Sequence, residues 1–108
     1  MESERLILTV QSTGNKDNKN WRLGVSYVDS CMYFKKRGLL VKIILNEIIV
    51  EVKTSCGPPL KKGFDFNGKV ISEWITKNKY NIYPARKPTK LIFEFSKKQN
   101  KLTFIEVK

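Results

Sequence analysis

The sequence predicts an α+β protein whose mostly antiparallel sheet curves strongly, or forms a half-open barrel, of about six or seven strands with one amphipathic helix. Three observations lead there. Most apolar residues fall in short, β-branched or aromatic runs with period-two spacing. Some of these runs face each other across short polar turns, as hairpins do. A single stretch carries helical spacing, so the strand–helix alternation of a parallel fold is missing.

The elements follow in order. Residues 6–10, Leu-Ile-Leu-Thr-Val, form a compact β-prone run, and residues 11–20 are polar, rich in turn formers and expected to be a mobile loop. Residues 21–28 alternate, with Trp21, Leu23, Val25 and Tyr27 on one face. Asp29 and Ser30 mark a turn, and residues 31–34 read as another short strand. Residues 39–45 and 48–54 are two β-branched runs around Asn46 and Glu47, a hairpin signature. Glu47 is a poorer turn residue than glycine, which predicts a slightly longer loop. Gly57, Pro58 and Pro59 then break the strand.

The helix opens at Asn67 or Gly68 and closes at Asn78. Val70, Ile71, Trp74 and Ile75 make one apolar stripe, with Lys69, Glu73 and Lys77 on the other side. Pro84 and Pro88 exclude regular structure from residues 80–90. A last hairpin joins residues 91–95 to residues 101–108 through a polar turn, with Leu91, Phe93 and Phe95 sharing a face. The tripeptide Glu-Val-Lys occurs at 51–53 and 106–108, a coincidence that charge alternation in strands produces readily.

A chain of 108 residues with 41% hydrophobic content suits a single domain, residues 1–108, around one modest core. No run approaches the roughly 20 apolar residues of a membrane span. The polar, acidic first residues lack the features of a signal peptide, so a cytoplasmic location is expected. Cys31 and Cys56, in a chain without histidine, do not make a zinc site and read as reduced thiols.

Charge is the strongest functional signal. Lys and Arg number 21 against 10 Asp and Glu, a net charge of +11. A surplus of that size repels itself in the folded state and points to an anionic partner, of which nucleic acid, DNA or RNA, is the commonest. Up to Pro59 there are nine basic and six acidic residues; beyond it there are twelve and four. The surplus therefore lies in the second half, where cations interleave with aromatics. Lys77, Lys79, Arg86, Lys87 and Lys90 are the candidate phosphate contacts, and Tyr80 and Tyr83 the candidate stacking rings. The prolines would present Arg86 and Lys87 on a stiff loop that loses little entropy on binding. The triplet Lys35, Lys36 and Arg37, and the pair Lys61 and Lys62, form a second candidate surface. An acidic protein is the alternative partner for the same face; no membrane partner is expected.

Most catalytic schemes are excluded by composition. Without histidine there is no Ser-His-Asp or Cys-His machinery, and no glycine-rich phosphate loop is present. A non-enzymatic domain without a cofactor or bound metal is expected. One pattern points elsewhere: Asp29, then Glu51 and Lys53 on one face of a strand, resembles the Asp…Glu-x-Lys pattern of the restriction-endonuclease-like nucleases. The resemblance implies Mg²⁺ held by the two carboxylates, with Lys53 positioning the attacking water. A proline before Asp29 and a third acid, both part of that pattern, are lacking.

Overall fold

The two sequence-predicted hairpins form, and they meet in one sheet. The computed structural model describes residues 3–13, 20–34, 40–53, 64–84 and 86–108. Its strands are β1 (Ser3–Thr13), β2 (Asn20–Val25), β3 (Leu40–Leu45), β4 (Ile48–Lys53), β5 (Phe64–Phe66), β6 (Lys90–Ser96) and β7 (Lys101–Val107). The helices are α1 (Tyr27–Tyr33) and α2 (Lys69–Lys77). The strands make a seven-stranded sheet in the order β4-β3-β7-β6-β1-β2-β5, nearly closed into a barrel. Among the described residues, only the β3–β7 pair is parallel. The fold is α+β, as the sequence predicts.

Strand alternation sets the two faces. Leu6, Leu8 and Val10 of β1, Val41, Ile43 and Leu45 of β3, and Leu91, Phe93 and Phe95 of β6 all point inward and are buried. Ile71, Trp74 and Ile75 of α2 pack against the same core. Each such burial contributes about 1.5–3 kcal/mol of apolar transfer. Val70, expected in that stripe, is instead 43% exposed. The stripe turns away from it because Ile71, Trp74 and Ile75 already fill the contact with the sheet. The β6–β7 register shifts between Ile92 and Phe93, leaving Ile105 as the extra residue of a bulge.

Four local expectations are corrected. The 45–48 turn is tight: Leu45 pairs with Ile48, and Asn46 takes the left-handed φ of 60° that the turn requires. The strand predicted to reach Val28 ends at Val25, and residues 31–34 are not a strand. Helix α1 occupies that stretch, because the Asp29 N–H donates to Ser26 Oγ at 3.2 Å and caps it. Phe34, just past α1, is then delivered to the core, its ring 5.5 Å from Phe66 and 5.2 Å from Phe95. The polar loop is shorter than read, since residues 11–13 and Asn20 belong to paired strands. Residues 14–19, the basic groups at 35–37 and 61–62, and Cys56 lie outside the described residues.

Candidate nucleic-acid interface

The five proposed phosphate contacts sit where α2 ends and β6 begins. Lys77 closes the last turn of α2, and Lys79 follows its C-cap, Asn78. The Lys79 N–H donates to the Thr76 carbonyl and the Tyr80 N–H to the Ile75 carbonyl, each at 3.0 Å. These two bonds define a Schellman ending, whose left-handed position is normally glycine. Here it is Lys79, with φ 60°. The Asn78 side-chain amide also donates to the Trp74 carbonyl at 2.8 Å, adding a second fastening.

The chain next turns sharply at Pro84, where the Lys87 N–H donates to the Pro84 carbonyl at 3.0 Å. Arg86 occupies the third position of this turn at φ 64°, again a conformation that favours glycine. Lys77, Lys79, Arg86, Lys87 and Lys90 are all exposed. Among the described residues, the ion pairs are Arg22 with Asp65 at 3.0 Å and Lys69 with Glu73 at 4.0 Å, so none of these five cations is held by a described carboxylate. Backbone bonding also brings in a cation that sequence reasoning missed. The Lys108 N–H donates to the Lys90 carbonyl at 2.9 Å, placing the two lysines on adjacent segments.

Tyr80 and Tyr83 are half-buried and pack against the core. The Tyr80 ring lies 5.2 Å from Trp74 and 5.9 Å from Phe104. Tyr83 meets Trp21 edge-on at 6.2 Å. Both rings therefore fasten the segment to α2, β2 and β7, and part of each is withdrawn from solvent. Between them Ile82 is 70% exposed, an apolar tip among cations that the sequence does not single out. Burial, not residue type, separates these three side chains, and only the fold reveals it.

The residues of the nuclease-like pattern fall on separate elements. Asp29 lies in the first turn of α1, and Glu51 and Lys53 are exposed on β4. Four strands stand between β4 and β2, the strand that leads into α1. Among the described residues, no group of three or more His, Cys, Asp or Glu side chains is arranged to hold a metal ion. A cleft of about 520 Å³ opens at the N-terminal end of α2, between Trp21 and Lys69. Within its lining the Trp21 backbone N–H donates to Ser72 Oγ at 3.0 Å and the Asn67 amide donates to Asp65 at 2.6 Å. Among the described residues, no helix is long and apolar enough to cross a membrane.

No protein-family model matches the chain, and neither the curated proteins nor the solved structures include one significantly similar to it.

Proposed function

We propose that the protein is a non-enzymatic nucleic-acid-binding domain that grips phosphates with Lys77, Lys79, Arg86, Lys87 and Lys90. One observation carries this reading. Four described non-glycine residues have positive φ: Asn46, Asn100, Lys79 and Arg86. Asparagine tolerates that conformation; lysine and arginine do so at a cost of about 1 kcal/mol or more. The two costly positions are both cations, both in the segment between α2 and β6. Strain retained at particular side chains motivates a functional role for them.

In this reading Tyr80 and Tyr83 brace the segment and offer a base the ring area that the core leaves uncovered. Ile82 adds an apolar contact between them. The pre-set backbone lowers the entropy lost on binding.

The test is the salt dependence of binding to labelled single- and double-stranded oligonucleotides, followed by fluorescence anisotropy. Five phosphate contacts on duplex predict a loss of about 500-fold between 50 and 200 mM salt. The Arg86→Ala, Lys87→Ala double variant should weaken binding several-fold or more and flatten the slope. A flat salt response in the wild type overturns the proposal and favours a protein partner.

A further inference from the structure

The strand register gathers a second group of cations that lie far apart in the chain. On the outer face of the sheet, Lys42 of β3 stands beside Lys101 of β7 in the parallel pair. Neighbouring strands are about 4.8 Å apart, so two like charges share one spot on that face. Lys42 has Glu51 as its partner on β4, yet no ion pair forms between them. Lys97 and Lys98 occupy the turn leading into Lys101, and both are exposed. That turn is tied to β3, because the Lys42 N–H donates to the Asn100 carbonyl at 2.9 Å. Four cations thus converge around one end of the β6–β7 hairpin.

Lys90 marks the other end, on the same outer face of β6. Six residue steps, at about 3.3 Å each, put roughly 20 Å between the Lys90 and Ser96 ends of β6. Between the ends, Arg5 stands opposite Glu94, and Ile92 has Ile7 on one side and the exposed Glu106 on the other, so the middle of this face carries no surplus of cations. The face is cationic at both ends and slightly acidic between them. A single phosphate group engages one end; a chain of phosphates longer than about 20 Å, roughly six base-pair steps, engages both.

We infer that Lys42, Lys97, Lys98 and Lys101 form a second phosphate contact, and that the outer sheet face binds a nucleic-acid segment spanning both ends of the β6–β7 hairpin. The inference rests on the nucleic-acid reading above and extends it to a new surface and a minimum ligand length.

Labelled DNA hairpins with stems of four and twelve base pairs test it, each titrated over a salt series. On the long stem, the Lys42→Gln, Lys101→Gln variant should bind more weakly, with its log–log salt slope reduced by about 2, one cation contributing about 0.9. Because the Lys90 end still binds the short stem, the variant's loss there should be much smaller. Its melting temperature should be unchanged or raised, since a like-charge contact is removed. The inference is overturned if this variant keeps wild-type affinity and slope on the long stem while the Arg86→Ala, Lys87→Ala variant loses both. It is also overturned if the loss is equal on both stems. No binding by the wild type overturns the nucleic-acid reading itself.

Discussion

The ring of Tyr80 packs 5.2 Å from that of Trp74, six residues back on α2, and closes the helix ending by which the basic segment leaves the core. Trp74 is only 3% exposed, so the contact anchors a surface loop to the interior. The hydrophobic partner of a Schellman ending is normally supplied by a residue just past the helix, and Tyr80 fills that place.

Tyr80→Ala should therefore cost about 2 kcal/mol, less than truncating a fully buried aromatic residue. It should also weaken oligonucleotide binding, because the segment loses its anchor. Tyr80→Phe should leave both nearly unchanged. Urea unfolding with an unaltered m-value checks the first effect, and anisotropy the second. Equal stability of Tyr80→Ala and wild type would remove the anchoring role.

Lys79→Gly separates stability from binding. Glycine relieves the left-handed backbone at φ 60°, so the variant should be more stable by about 1 kcal/mol, seen as a higher melting temperature. Loss of the ammonium group should lower affinity for oligonucleotides at the same time. Opposite shifts in the two measurements are the expected signature; a variant that binds as tightly as wild type sinks the assigned role of Lys79.

The Tyr33 hydroxyl donates a hydrogen bond to Glu4 Oε2, joining α1 to β1. That bond, then burial and the nearby Glu4 and Asp29 charges, hold the phenol above its ordinary pKa of 10.0. The folded value is raised, so the stabilisation is complete below the ordinary value and is lost as pH rises through the higher folded one. Wild type should exceed Tyr33→Phe in stability at neutral pH, and the gap should close in strong alkali. Chemical denaturation of both proteins across that range measures it; a gap that widens with pH contradicts the assignment.

Nucleic acid incubated with Mg²⁺ should stay intact with wild type and Glu51→Ala alike, since four strands separate the strand of Glu51 from β2, which leads into the helix of Asp29. Gel analysis of a labelled duplex decides this. Cleavage by the wild type that disappears in Glu51→Ala would favour the nuclease reading instead.

Local pattern was enough to read much of this chain. The runs at 40–45 and 48–53 and those at 90–96 and 101–107 alternate with period two around short polar turns, and both fold as hairpins. The stripe of Ile71, Trp74 and Ile75 has helical spacing, and α2 buries those three. Two elements escaped. Helix α1 is short and made of β-prone residues, so its identity hangs on the Ser26 cap and on Phe34 finding the core. Strand β5 has three residues, too few for any periodicity, and exists because Leu23 and Phe66 pair.

The same division runs through the candidate sites. Composition alone determined the cationic surplus, the absence of imidazole chemistry and the concentration of charge after Pro59, because these are properties of residues taken singly or in runs. Tertiary structure decided which cations adjoin one another and which aromatics are withdrawn from solvent. Lys42 and Lys101 are 59 positions apart in the chain, and only parallel pairing of β3 with β7 makes them neighbours. Such contacts depend on long-range closure of the sheet, which no local spacing encodes.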